Sequence, residues 1–137
     1  MLTPDHFNQL SVGKLPAYLG IVITHVGPSA LHAELALRGE LMAANGYLHA
    51  GGVVTLADTA AGYGCVAHLP ATASGFTTAE LKSNHLGTAR DGHIDCVASA
   101  VHLGRSTQVW DAVVTHRETG KTLALFRCTQ MVLYGRG

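Results

Sequence analysis

One stretch constrains this chain more than any other: Asn45-Gly46-Tyr47-Leu48-His49-Ala50-Gly51-Gly52, followed by the apolar run Val53 to Cys65. Its glycine-rich turn opens a helix expected from about Gly51 to His68, which Leu69-Pro70 stops because the residue before a proline disfavours helical geometry. At helical spacing Val53, Leu56, Ala57, Ala60 and Gly64 share one side, while Val54, Ala61 and Cys65 lie beside Asp58. A helix apolar nearly all round is one buried nearly all round. The small residues Ala60, Ala61, Gly62 and Gly64 let a sheet approach closely, at some cost in helix propensity.

The flanking segments supply the sheet. Thr3 as N-cap and Pro4 at the first helical position open a short helix to Val12, with Phe7 and Leu10 on one face, and Gly13 closes it. Leu19 to Val26 is β-branched and strand-like, and Gly27-Pro28-Ser29 reads as a turn. Ala30 to Arg38 alternates, with Leu31, Ala33, Leu35 and Leu37 on the covered face. Beyond the helix come four strand candidates, about 73–85, 92–103, 106–116 and 121–133. Gly104-Arg105 and Glu118-Thr119-Gly120 are hairpin connections, so this part of the sheet is expected to be an antiparallel meander. The pattern is α+β, a curved antiparallel sheet wrapped around one long buried central helix in a single domain, 1–137.

Composition decides which partners are plausible. With 47% apolar and 13% charged residues and a formal net charge of zero, the chain is globular and carries no electrostatic footprint for nucleic acid or a membrane surface. So few charges leave little to keep a monomer soluble, so a homo-oligomer is expected. No basic segment followed by an apolar run opens the sequence, and its three cysteines, Cys65, Cys96 and Cys128, sit in apolar contexts. A cytoplasmic protein with reduced thiols is the expectation.

Gly46-x-x-His49-x-Gly51-Gly52 with Leu56-Ala57-Asp58-Thr59-Ala60 resembles the acyl-CoA thioesterases of the hot-dog fold. The branch is that of the phenylacetic-acid-degradation thioesterases and the carboxylate-dependent 4-hydroxybenzoyl-CoA thioesterase. Gly104-Arg105-Ser106-Thr107, with Val109 and Trp110, resembles it too. The chain departs from the pattern twice: Ala50 stands where the family usually has glycine, and Ala43 stands six positions before His49, where an Asn or Gln is usual, with Asn45 nearby.

The resemblance implies hydrolysis of an acyl-CoA with Asp58 as nucleophile or as general base for water. Asp58 is the only strongly ionisable group between Gly52 and Ala67, where a carboxylate is costly without a reason. The free N–H groups at the helix start suit a developing oxyanion; Ala50 N–H is the first choice and Gly51 the second. His49 would hold the turn or hydrogen-bond the thioester. From Ala50 to Asp58 the helix rises on the order of 12 Å at ~1.5 Å per residue. One carbonyl therefore cannot reach both; an obligate homodimer is expected, each site taking the turn of one subunit and Asp58 of the other, as the resemblance also implies, with a dimer of dimers beyond it.

Arg90 and Arg105 are candidates for the phosphates of coenzyme A. Asn45 and Gly46 are candidate substrate contacts, with Ser83, Asn84, Ser106 and Thr107 at the pantetheine and Tyr63 and Phe76 at the acyl pocket. Coenzyme A is part of the substrate, and no separate cofactor is implied. The nine histidines show no metal-ligand spacing, and no G-x-S-x-G, P-loop or dinucleotide fingerprint occurs. Asp95 and Asp111 are expected to be solvated strand residues. A hydratase or dehydratase on this fold would pair Asp58 with a histidine five residues on, where Tyr63 stands. A non-catalytic acyl-binding module would keep the pocket without needing Asp58.

Overall fold

The central helix, α3, runs from Ala50 to Ala67, with His49 as its N-cap. In the computed structural model, which describes residues 2–135, it is preceded by α1 (Pro4–Ser11), α2 (Leu15–Leu19), β1 (Ile21–Gly27), β2 (Ala30–Ala36) and a 3-10 turn over Gly39–Leu41. Four strands follow: β3 (Gly75–His85), β4 (His93–Leu103), β5 (Thr107–His116) and β6 (Thr122–Leu133). All six pair antiparallel in one sheet, in the order β1-β2-β4-β5-β6-β3. β4, β5 and β6 form the expected meander, whereas β3 crosses to the far edge and pairs with β6.

Two local differences from the sequence reading have clear causes. α2 is absent from that reading; Pro16 in its first turn and Gly20 at φ +93° as its left-handed cap close a single turn of helix, and β1 starts at Ile21 rather than Leu19. Nor is α3 covered all round. Leu56, Ala57, Ala60, Ala61, Gly64 and Cys65 are buried, while Val54, Thr55, Asp58 and Thr59 are only partly covered. The sheet wraps one side of the helix, and Asp58 lies at the margin.

Small residues set how close the sheet comes. A Cβ on Gly64 would lie 2.8 Å from the ring of Trp110, which is fully buried, and one on Gly62 would lie 3.2 Å from Phe76. Gly64→Ala is therefore expected to destabilise the fold by about 1–3 kcal/mol through overpacking, a cost its better helix propensity offsets only in part. Thermal unfolding of the variant reads this directly.

The end of α3 is pinned to β5 and to the β1–β2 turn. Ser29 N–H donates to His68 Nε2 at 2.8 Å, so the ring's proton sits on Nδ1, 2.8 Å from the Gly64 carbonyl it donates to. Gln108 Nε2–H donates to the His68 carbonyl, and Trp110 Nε1–H donates to Gln108 Oε1. Gln108 and Gln130 are fully buried on the helix-facing side of the sheet.

The two edges of the sheet differ. The side chain of Asn8 accepts from Ile23 N–H at 2.8 Å and donates to the Ile23 carbonyl at 3.0 Å, so α1 closes the β1 edge. Along β3 no strand pairs with the outer edge among the described residues, and Thr77 to Lys82 are exposed on both faces.

Candidate active site

His49 and the first turn of α3 form one half of the candidate site. Gly51 N–H donates to His49 Nδ1 at 2.8 Å, so the proton of the neutral ring sits on Nε2 and that N–H is free to donate outward. This contact also spends the Gly51 N–H, the second choice for the oxyanion. The Ala50 N–H, first in the helix, has no acceptor among the described residues. The turn opens onto a cavity of about 250 Å3 lined by Leu19, Leu41, Met42, His49, Gly51 and Thr55. Asp58 does not line it.

Asn45 shapes this turn from within. Its side-chain oxygen accepts from Tyr47 N–H at 3.1 Å, and Gly46 sits at φ +87°, which a side chain would strain. The oxygen of Asn45 is therefore used by its own turn. Arg90 joins the turn from the loop before β4: its guanidinium lies 4.8 Å from the centre of the Tyr47 ring, and Thr88 Oγ1 accepts from Leu48 N–H.

Asp58 is the other half. One carboxylate oxygen is buried without a hydrogen-bond partner, and desolvation raises its pKa above the ordinary carboxylate value. The thiols nearest in this register do not compete with it. Burial pushes Cys65 up to about 12; burial, with the charge of Asp58 second, does the same for Cys128. Neither supplies a thiolate, and all three cysteines are free and buried.

The remaining candidates divide by position. Phe76 packs on Gly62, one turn along from Asp58, on the same side of α3. Tyr63 does not belong there: its ring stacks on Phe7 with centroids 4.6 Å apart and its hydroxyl is 2.7 Å from that of Ser11, so it ties α3 to α1. Ser83 and Asn84 fall on opposite faces of β3, because successive strand residues alternate. Ser83 Oγ is buried toward the helix side without a partner, and Asn84 lines a depression of about 260 Å3 on the outer face with Lys82, Asp111 and Arg127. They cannot contact one pantetheine from the same side.

Arg90 and Arg105 are also separated. β4 runs between them with 11 residues, on the order of 35 Å at ~3.3 Å per residue. Arg90 packs against the turn before α3 from the loop that precedes β4; Arg105, Ser106 and Thr107 lie at the opposite end of β4, where the guanidinium of Arg105 is 5.8 Å from the centre of the Tyr134 ring. One chain does not bring both to one phosphate cluster. Asp95 and Asp111 are not merely solvated: Asp95 is bonded by Arg117, which also reaches Glu34, and Asp111 by Arg127 at 2.5 and 2.9 Å.

Among the described residues no group of three or more His, Cys, Asp or Glu side chains is placed to hold a metal ion, and no helix is long and apolar enough to cross a membrane. The buried Gln108 and Gln130 escaped the sequence reading. Their signal was the alternation itself, since each occupies an inward phase beside Trp110 or Cys128.

Comparison with known families decides the class. The profile described as "Thioesterase superfamily" matches residues 45–123, which holds both His49 and Asp58. The chain belongs to the thioesterase superfamily. It is 35% identical over 111 residues to a 1,4-dihydroxy-2-naphthoyl-CoA hydrolase of Listeria monocytogenes, covering 81% of this chain and 89% of that protein. A thioesterase of Haemophilus influenzae superposes with a TM-score of 0.91 at 28% identity, over 98% of this chain and 92% of that one. The PaaI protein of the Escherichia coli phenylacetic acid degradation operon shares the fold, with a TM-score of 0.82 at 22% identity over 93% and 91% of the two chains. This superfamily member has the hot-dog fold, and its class is thioester hydrolase.

Proposed function

We propose that this thioesterase hydrolyses an aryl- or medium-chain acyl-CoA to the free acid and coenzyme A, with Asp58 as the acting carboxylate. The observation that carries this is the unpartnered, desolvated oxygen of Asp58 at the margin of α3. A buried acceptor with no protein donor is what a water or a thioester carbonyl would face. Asp58 either attacks the carbonyl carbon or takes the proton of the water that does. In both routes the carbonyl oxygen becomes an oxyanion, which collapses as the C–S bond breaks and coenzyme A leaves as its thiolate. When water attacks, the free acid forms directly and the proton that Asp58 took passes to the thiolate; when Asp58 attacks, water hydrolyses the mixed anhydride, which releases the acid, restores the Asp58 carboxylate and supplies the proton. The Ala50 N–H and the positive end of the helix dipole stabilise that oxyanion, and His49 Nε2–H is a second donor. The arylated substrate of the Listeria relative favours an aromatic acyl group.

Two subunits complete each site. The β1 edge is closed by Asn8, which leaves β3 as the long edge open to another chain. Antiparallel pairing of β3 with its copy lays the two α3 helices side by side in opposite directions. The first turn of one then faces Asp58 of the other. Arg90, stacked on Tyr47 at the turn, is the phosphate contact on the turn's side. The soluble, cytoplasmic setting belongs to the same reading.

A panel of aryl- and straight-chain acyl-CoAs, assayed by free-thiol release, tests it. Aryl thioesters are expected to give the highest kcat/KM, by at least roughly tenfold over short-chain acyl groups. A panel in which several members bind and none is cleaved makes the chain a binding module instead.

A further inference from the structure

We propose that Glu118, on the turn between β5 and β6, is a positioning residue that holds the loop 86–92 against the turn preceding α3. The inference rests on the assignment of Arg90 to coenzyme A phosphate, and it deepens that assignment by naming what keeps Arg90 in place.

Glu118 does little for its own hairpin. That hairpin closes through Gly120 N–H to the His116 carbonyl at 2.8 Å and through Lys121 N–H to Thr119 Oγ1. The carboxylate instead reaches across to the start of β4. His93 N–H donates to Glu118 Oε1 at 3.0 Å, and His93 Nδ1 lies 3.3 Å from Oε2. The backbone of Gly92 passes so close, at φ +83°, that a Cβ there would collide with the carboxylate. His116, which is buried, donates from Nε2 to the Asp91 carbonyl at 2.9 Å and keeps the same nitrogen 3.3 Å from Glu118 Oε1. The His93 N–H, the largest of several causes, pulls the Glu118 carboxyl down to about 2, so it is ionised throughout the neutral range.

What lies between is the part that touches the candidate site. At its other end the loop is tied to β6, where Leu86 N–H donates to the Leu123 carbonyl at 2.8 Å. In the middle, Thr88 accepts from Leu48 N–H and Arg90 stacks on Tyr47. Leu48 and Tyr47 immediately precede His49 and Ala50. Leu37 N–H to the Gly92 carbonyl and Arg117 N–H to the His93 carbonyl, both at 2.9 Å, also hold this end, so losing the Glu118 carboxylate loosens the loop rather than freeing it, Arg90 first and the turn second. The expected signature is weaker capture of the phosphate-bearing substrate with chemistry nearly intact.

The test compares Glu118→Ala and Glu118→Gln with wild type on two substrates, the best acyl-CoA of the panel and the same acyl group on pantetheine, which has no phosphates. Glu118→Ala is expected to raise KM for the CoA thioester roughly tenfold with kcat within about twofold, and to leave KM for the pantetheine thioester unchanged. Glu118→Gln, which still accepts from His93 N–H, restores part of the loss. Combined with Arg90→Ala, the second substitution adds nothing, because both act through one contact. Equal KM increases for the two substrates, or effects that multiply in the double variant, overturn the proposal. Hydrogen exchange of residues 86–92 and of Leu48 separates the two assignments. If Arg90→Ala leaves KM for the CoA thioester unchanged, the phosphate assignment is wrong, and faster exchange in Glu118→Ala still supports the positioning role. If exchange in Glu118→Ala matches wild type, that role is wrong.

Discussion

Replacing Asp58 by asparagine is expected to lower kcat for the best acyl-CoA by about 10²–10⁴-fold while leaving the protein as stable as wild type, or more so, at neutral pH. The two halves of this result have one cause. Asp58 has a carboxylate oxygen out of water with no hydrogen-bond donor, and burial raises its pKa. A carboxyl whose folded-state pKa lies above its unfolded-state value adds stability that is fully present below the unfolded value. That contribution is lost as pH rises through the folded one. Above that folded-state value the wild-type fold holds an ionised group it would rather protonate, a strain asparagine does not feel. Melting curves recorded from neutral to acid pH are expected to converge as Asp58 takes up its proton. Free-thiol release at neutral pH gives the kinetic half. A variant that hydrolyses as fast as wild type removes Asp58 from the chemistry. One that is much less stable at neutral pH makes it a structural partner of the core.

The sequence made this helix legible because helix and sheet leave different periods. α3 carries apolar residues on every side with one carboxylate among them, and a 3.6-residue repeat separates Asp58 from Tyr63 as clearly as it joins Asp58 to Cys65. That repeat already placed Tyr63 away from the Asp58 side; pairing it with Phe76 drew on residue type alone. The same holds for Ser83 and Asn84, neighbours in sequence whose alternation along β3 puts them on opposite faces. What local pattern cannot carry is the order of strands. Nothing in 73–85 says that it pairs with β6 rather than β4, and only that pairing separates the two sheet edges. The network around Glu118 is likewise a product of register, since β4 opposite β5 brings His93, His116 and Glu118 together from well-separated positions.

The proposed composite sites lead to the second large effect, read in a mixture of two inactive proteins. His49→Ala leaves Asp58 intact on its chain, and Asp58→Asn leaves His49 and its turn intact on the other. If the site took both residues from one chain, a mixed dimer would have no complete site and the mixture would stay as inactive as its components. If each site takes the turn of one subunit and Asp58 of the other, the mixed dimer has one complete site and one doubly defective one. With random re-pairing, half the dimers are mixed, so recovery to about a quarter of wild-type kcat per subunit is expected. The proposed roles of Ala50 and Asp58 lead to the shared site, because the two stand on the same rigid element more than two turns apart and the cavity beside His49 does not reach Asp58. Exchange requires dimers to separate and re-form, so the mixture is prepared by co-expression with two affinity tags and the doubly tagged fraction is assayed. That fraction, all of it mixed, is expected at about half of wild-type activity. Activity no greater than that of the single variants would place the chemistry within one chain.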